Sequence, residues 1–549
     1  MSTHWNVFGQ GQNIEDVKNL LLQGRGFEDL SQASRFLNPK NPLLYLKNFS
    51  TDFKLGLKKA RKLINLTIEK NLPIVIHGDY DADGICATSI LYNYLTKERK
   101  YGKAFYFIPS RFDHGYGLSK ESLDESIRKV TEDLGMEEEI LFITVDNGIT
   151  SVEEVKYLKK LGHKVIITDH HQKAGKLPKA DVIVWNDQIV AATIAWILTR
   201  VLGSKNTDYL ALASLATVTD VYPVLGLNRA LVKRGLKLLN DSPPSGLKDL
   251  ISVSDLDGKT LDTYHLGWVL GPRINASGRL ADASLAVNLL TTEEPKIALS
   301  AARELNKMNR KRQDETYRMY SLVPEFMEVP RFILTESKDF HEGLIGLVAS
   351  RLVRKYYRPS IVISVSEKFG KGSVRSIEGI NIIELLREFE DLFVNLGGHP
   401  MAAGFTIPLE NISVLKEELG KVFAERFDNS HFISSMNIDV EIPLSLVTWD
   451  LLSFIQSLKP FGTGNKSPLF LTRNLGIANM NFVGKEGNHV SLKFYDDADS
   501  QKGIFFSSRE YFDDIGLGDK VDVVYSIEEN TYRGNSNLSL VVKDLHKTS

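Results

Sequence analysis

At roughly 100–200 residues per domain the 549-residue chain has room for three or four domains. Its 43 % hydrophobic and 25 % charged residues exclude a disordered chain, a collagen-like fibre and a disulfide mini-scaffold. Lys+Arg 67 against Asp+Glu 69 gives a formal net charge of −2, so this is no polycation that coats nucleic acid, although a local basic groove stays open.

The stretch Met1 to Asn6 lacks the basic start and apolar core of a secretion signal. No run of about 18 apolar residues occurs, and the single cysteine, Cys86, can form neither an internal disulfide nor a Cys-based zinc site. The expectation is a soluble, cytoplasmic protein. Residues 1–54 read as a helical lead-in that closes on Phe36-Leu37-Asn38-Pro39. From residue 55 helices and short apolar runs alternate: helical Leu55 to Glu69, apolar Leu72 to Ile76, helical Ser89 to Leu95, strand-like Ala104 to Ile108, helical Lys120 to Leu134, strand Ile140 to Val145, helical Val152 to Leu161, and strands Lys164 to Thr168 and Ala180 to Val184. Continuous apolar runs separated by helices predict an α/β fold with a parallel sheet covered on both faces. Pro295 to Leu322 reads as a long charged helix, more a solvated connector than a substrate contact. A second α/β unit follows, with strands Arg331 to Leu334 and Ser360 to Ser364 and the Gly-rich segments Gly370 to Ser376 and Gly397 to Gly404. From about residue 430 the pattern turns β-rich and suits a small barrel.

Polar side chains follow the apolar runs directly: His77 to Asp83, Asp146-Asn147, and Asp169-His170-His171. In open α/β sheets the ligand crevice lies outside the carboxyl ends of the strands, so these clusters converge on one edge. In His77-Gly78-Asp79-Tyr80-Asp81-Ala82-Asp83-Gly84, three carboxylates and an imidazole repel one another once ionised. Divalent cations would offset that repulsion, and oxygen and imidazole donors without thiolate suit Mn²⁺ or Mg²⁺. The alternative is a turn whose aspartates cap the next helix. With Asp146, Asp169-His170-His171 and Asp220 added, the ligands suffice for two metals sharing one carboxylate, an arrangement suited to in-line displacement at phosphorus.

In this order, Asp79 to Gly84, Val145-Asp146-Asn147-Gly148, Thr168-Asp169-His170-His171 and Thr219-Asp220-Val221 resemble the four motifs of the DHH phosphoesterase superfamily. Further segments resemble its RecJ branch of single-strand-specific 5′→3′ exonucleases: Gly115-Tyr116-Gly117-Leu118, Gly271 to Leu280, His341-Glu342-Gly343, Gly372 to Ser376, Gly397 to Phe405, and Leu458 to Asn465. The resemblance divides the chain into the lead-in (1–54), a DHH phosphoesterase domain (55–290), a connecting helix (291–328), a DHH-associated domain (329–428) and an OB-fold domain (429–549). It implies single-stranded DNA cut to 5′-mononucleotides by two-metal-ion hydrolysis in DNA repair and recombination. It also implies a monomer that no membrane holds, with a single-strand-binding protein and a DNA-unwinding helicase as protein partners. The competing expectations are a nano-RNA or cyclic-dinucleotide phosphodiesterase, or a pyrophosphatase, against which the β-rich C-terminal region speaks. The other is an inactive single-strand-binding scaffold, against which the complete ligand set speaks.

Carried over position by position, the resemblance implies one metal on His77, Asp81 and Asp146 and a second on Asp83, Asp146, His170 and Asp220, with Asp146 bridging. His171 would hydrogen-bond the scissile phosphate, and Asp79 would support the ligands unless it only caps the following turn. Arg279, on the Ser277-Gly278-Arg279 turn, is the candidate for neutralising phosphate charge, its alternative being a surface salt bridge. Gly397 and Gly398 offer flexible backbone for a nucleotide-binding loop. By resemblance His399 touches the substrate backbone, while Ser373 and Arg375, in a Gly-flanked turn, anchor the 5′ end, with Arg111 a further candidate for that pocket. The chain departs from the family at Ser110 and His114, and in the short segment Trp185-Asn186-Asp187-Gln188, where relatives carry a longer loop; there the wall of the substrate channel is expected to differ.

Overall fold

The computed structural model describes residues 3–548 except 29, 112, 116, 137 and 533. The expectations resting on Met1, Ser2 and Tyr116 lie outside the described residues. Contacts divide the chain into two compact units: Asp52–Thr219 with Ser242–Ser434, and His4–Thr51 with Asp220–Asp241 and the residues from Ser435 onward.

The first unit holds two sheets. In one, β1 (Ile74–His77), β2 (Ala104–Phe107), β3 (Leu141–Val145), β4 (Lys164–Asp169) and β5 (Val182–Trp185) run in the order β2-β1-β3-β4-β5. All neighbours are parallel. Every residue of β1 and β3 is buried, because helices cover both faces. The order reverses between β1 and β3, and the crevice at such a switch point is where open α/β sheets hold ligands. The helix after β1 spans Ala82–Asn93, starting seven residues before the expected Ser89. Asp81 caps it, and apolar periodicity alone does not reveal that the acidic cluster already forms the first turn.

The second sheet is mixed: β6 (Ile333–Ser337), β7 (Ser360–Val365), β8 (Phe369–Arg375), β9 (Asn395–His399) and β10 (Ala402–Pro408), in the order β9-β10-β8-β7-β6. Two expectations are corrected here. Gly397, Gly398 and His399 lie in the strand β9, paired with β10, and not in a free loop. Arg375 ends the strand β8 and does not sit in a turn. Both segments were misread because glycine serves in this sheet as a space-maker: a Cβ on Gly372 would fall 2.1 Å from the Phe405 ring. The helix Pro295–Ser321 is as long as expected but is no mere solvated connector. Ala298, Ala301, Ala302, Leu305 and Met319 are buried along it, and it packs on the helix Gly271–Leu280.

The second unit is built on a barrel. Its strands β11 (Phe470–Val483), β12 (His489–Tyr495), β13 (Ser500–Phe505), β14 (Lys520–Tyr532) and β15 (Asn535–Lys547) close in the order β11-β12-β13-β15-β14-β11. Only β13 and β15 pair in parallel, the closure expected of an OB-fold. Its core runs from Phe470, Phe494 and Tyr525 into Val17, Leu21 and Phe36. The N-terminal residues are therefore not a purely helical lead-in. They begin with the strand His4–Val7, paired in parallel with Ser435–Ile438, and share the barrel's core. The buried guanidinium of Arg229 ties three segments together by donating to the carbonyls of Phe36, Lys459 and Pro460. No helix among the described residues is long and apolar enough to cross a membrane.

Candidate active site

Three of the expected ligands, His77, Asp81 and Asp83, come with Asp79 from the β1 end and the turn after it. His77 is fully buried, and its Nε2 lies 3.2 Å from Ser122 Oγ. The single hydroxyl proton of Ser122 is given to the Ser119 carbonyl at 2.9 Å, so Ser122 can only accept from His77 Nε2–H. That fixes the lone pair on Nδ1, which is buried and has no hydrogen-bond partner. Asp79 Oδ1 is likewise buried and unpartnered. Asp81, and not Asp79, is the helix cap: its Oδ1 accepts the amides of Asp83 at 2.9 Å and Gly84 at 3.1 Å. Asp83 is held from the other side, its two oxygens accepting the amides of Ala191 at 2.7 Å and Ala192 at 2.8 Å at the start of the helix Ala191–Val201. The turn can close this tightly because residue 84 is glycine; a Cβ there would sit 2.6 Å from the Asp79 carbonyl.

Asp146 follows β3 with φ 64°, in the left-handed region where aspartate is among the few tolerated side chains. Its Oδ1 lies 2.8 Å from His170 Nε2, and His170 Nε2 is 3.5 Å from Asp83 Oδ2. Ligand-capable atoms of Asp79, Asp81 and Asp146 lie within 4.8 Å of one another, as do those of Asp146, His170 and His171. Asp220 comes directly after the helix Asp208–Thr219. Its neighbour Val221 has φ 58°, a genuine strain for a β-branched residue.

Asp169, which sequence reasoning named but gave no role, organises the two histidines. Its Oδ1 accepts the amides of His170 at 2.7 Å and His171 at 3.0 Å and lies 2.8 Å from His171 Nδ1, while Oδ2 accepts the Ile149 amide at 2.9 Å. Nδ1 of His171 thereby carries a proton, and that bond fixes the orientation of the ring. Burial would raise the Asp169 carboxyl, but the hydrogen bond and charge of His171 outweigh it and hold it below the usual range. Ser122 and Asn275, whose Oδ1 accepts the Ala82 amide at 2.7 Å, were also missed. No sequence pattern ties either to the motif.

Burial drives the remaining groups toward neutrality. It pushes Asp83 up to about 8 and Asp79 well above the carboxylate range, helped in both by the charge of Asp81. It pushes His77 down to about 3 and His170 down to about 4, helped by His114 and His171 respectively. Orphaned His77 Nδ1 and Asp79 Oδ1 beside crowded carboxyls fit divalent cations on oxygen and imidazole ligands.

A second constellation is basic. Arg111, Arg279, Lys371, Ser373 and Arg375 line one cavity of about 210 Å³. Arg279 is in the last turn of the helix Gly271–Leu280, not on a free turn. It donates to the Gly343 carbonyl at 3.4 Å and is pushed down to about 10 by burial and by the charges of Arg111, Arg312 and Arg375. Its helix reaches the acidic motif because residue 278 is glycine: a Cβ there would lie 2.4 Å from the Tyr80 carbonyl. Arg375 donates to Ser373 Oγ at 3.1 Å, and Arg111 lies over the Tyr80 ring. Gly397, Gly398 and His399 do not line this cavity.

Residues 73–218 match the DHH family N-terminal domain, 329–425 the DHHA1 domain and 438–544 the RecJ OB domain. The chain is 32 % identical to the single-stranded-DNA-specific exonuclease RecJ of Bacillus subtilis, over 95 % of this chain and 67 % of that protein. It is 31 % identical to the protein of the same name from Thermus thermophilus, over 93 % of this chain and 73 % of the relative. The crystal structure of Thermus thermophilus RecJ in complex with Mn²⁺ superposes with a TM-score of 0.82 at 28 % identity, covering 100 % of this chain and 80 % of that one. The structure of the same protein with Mg²⁺ gives 0.76 at 27 %, covering 100 % and 79 %. With this identity across two thirds or more of its relatives and all three domain matches in order, the chain belongs to the RecJ family of single-stranded-DNA-specific exonucleases.

Proposed function

We propose that the chain is a metal-dependent, single-stranded-DNA-specific 5′→3′ exonuclease that releases 5′-mononucleotides in DNA repair and recombination. The observation that carries this reading is the buried edge of the first sheet, where orphaned His77 Nδ1 and Asp79 Oδ1 stand beside three further carboxyls and His170. His77, Asp81 and Asp146 would hold one cation, and Asp83, Asp146, His170 and Asp220 the other. When bound, two Mn²⁺ or Mg²⁺ ions supply an activated water and neutralise charge on the attacking and leaving oxygens. The side chains do the rest. Asp169 holds the His171 ring through Nδ1, so that the Nε2–H of an imidazolium would donate to an oxygen of the scissile phosphate. Arg279 keeps its charge near neutral pH and meets the charge that develops on phosphorus oxygens. Arg111, Ser373 and Arg375 form the seat for a terminal phosphate, a guanidinium matching it with two parallel hydrogen bonds. Asp79 backs the ligands, and His399 on β9 contacts the backbone of the strand with Gly397 and Gly398.

The assigned domains are 1–54, 55–290, 291–328, 329–428 and 429–549, the last contributing a single-strand platform. On its outer face Lys493 lies directly opposite Lys502, an unfavourable pairing that a phosphate would relieve. A monomer in the cytoplasm, working beside a single-strand-binding protein and a DNA-unwinding helicase, completes the reading. The test is digestion of 5′- and 3′-labelled single strands with a duplex control, in Mn²⁺ and in Mg²⁺. Mononucleotides released from the 5′ end of single strands alone are expected; release from the 3′ end, or hydrolysis only of dinucleotides, overturns the proposal.

A further inference from the structure

The end of β5 and the segment after it touch the site at two points. Trp185, the last residue of β5, donates its indole Nε1–H to the carbonyl of His171 at 2.7 Å. The ammonium of Lys173, two residues beyond His171, lies 3.6 Å from the centre of the same indole. The chain then turns within residues 186–190: the Asn186 amide bonds the Asp169 carbonyl at 3.2 Å and Asn186 Oδ1 accepts the Gln188 amide at 2.9 Å. The helix that follows presents the Ala191 and Ala192 amides to both oxygens of Asp83. Eight residues thus span from His171 to Asp83. The turn is short, so it has little slack with which to let either grip drift.

We infer that Trp185 is a positioning residue for His171. Asp169 grips His171 through the ring Nδ1 and the amide, on the N-terminal side of the residue, and these two bonds do not themselves fix the peptide plane that follows. The indole N–H on the carbonyl removes that freedom, and the Lys173 cation over the ring face holds the indole in place. The half-exposed His171 side chain then keeps one orientation while strand and product pass. This inference rests on the reading of His171 as the group that hydrogen-bonds the scissile phosphate.

Four variants test it. Trp185→Phe keeps a ring under Lys173 but has no N–H to give; it is expected to lower kcat about tenfold with KM and Mn²⁺ affinity, read by calorimetry, unchanged. Trp185→His restores a ring N–H and is expected to recover part of that loss. Lys173→Ala, which leaves the donor in place, is expected to cost less than Trp185→Phe. His171→Ala sets the scale and is expected to lower kcat further than any of the three. An unchanged kcat in Trp185→Phe overturns the inference, as does a parallel fall in Mn²⁺ affinity and thermal stability that Trp185→His does not relieve, since Trp185 is then only structural. Full activity in His171→Ala instead removes the reading of His171 itself.

Discussion

The carboxyl edge of the first sheet and the arginine cavity bury like charges of opposite sign, and they answer the problem differently. At the acidic edge four groups can shed their charge: Asp79 and Asp83 are pushed up and His77 and His170 down, chiefly by burial. In the cavity the guanidinium of Arg279 is pushed down only to about 10, so it remains cationic at neutral pH despite its arginine neighbours. The edge can therefore wait in a neutral form and exchange protons for metal, whereas the cavity carries a standing demand for an anion. Metal loading should depend on pH and phosphate capture should not.

The sharpest way to break this comparison is at Asp146, which would belong to both metals. Asp146→Asn retains a side chain that tolerates the left-handed backbone but removes the charge. We expect hydrolysis to fall by about 10³-fold or more, with thermal stability in chelator equal to or above that of the parent, because one buried repulsion is gone. Activity within tenfold of the parent would show that Asp146 does not bridge. Next in size is Arg279→Ala, expected to lower kcat about 10²-fold with Mn²⁺ affinity retained; Arg279→Lys should recover part. A loss of metal affinity instead would place Arg279 with the acidic edge. Arg375→Ala is expected to raise KM about tenfold on 5′-phosphorylated strands and to narrow their advantage over 5′-hydroxyl ends, with Arg375→Lys only partly rescuing for want of the planar fork. Steady-state kinetics on the two substrates decides it, and undiminished discrimination between the ends would move the anchor to Arg111.

The smallest effect is the pH dependence of metal-free stability. His77 and His170 have lowered values, so their contribution grows as pH rises toward about 6.5 and is complete above it. Asp83 has a raised value: its contribution is present at low pH and is lost as pH rises through about 8. Between pH 6.5 and 8 the chelated protein should therefore lose thermal stability as pH rises, and saturating Mn²⁺ should remove the slope because it takes the place of the bound protons. A flat chelated profile would mean that Asp83 is already ionised. Binding of inorganic phosphate to the arginine cavity should show no such dependence beyond that of phosphate itself.

Much of the architecture was legible because it rests on local alternation. Apolar runs of four to six residues ending in polar clusters announced the parallel sheet and its ligand edge, and the spacing of Asp, His and Arg motifs carried the family resemblance. What misled was glycine. In Gly372 and Gly398 the missing side chain reads as a loop, yet in the second sheet it makes room for the Phe405 ring and for the close approach of the paired strand at Ala402 and Ala403. The lead-in misled in another way. Its helices are amphipathic, but what covers their apolar faces is a barrel more than 400 residues away in sequence.

By itself, then, the sequence determined the inventory: which side chains can hold cations, which can hold a phosphate, and which strands bring them to one edge. Tertiary structure alone decided how each is poised. Ser122 spends its proton on Ser119 and so turns the lone pair of His77 to Nδ1; Asp169 sets the ring of His171 through Nδ1; Trp185 and the Ala191 and Ala192 amides brace His171 and Asp83 through one short turn. These choices depend on angstrom-scale approach between segments that no periodicity relates. A hydrogen bond or a tautomer responds to the position of a single partner atom, whereas the hydrophobic pattern that places strands and helices averages over many.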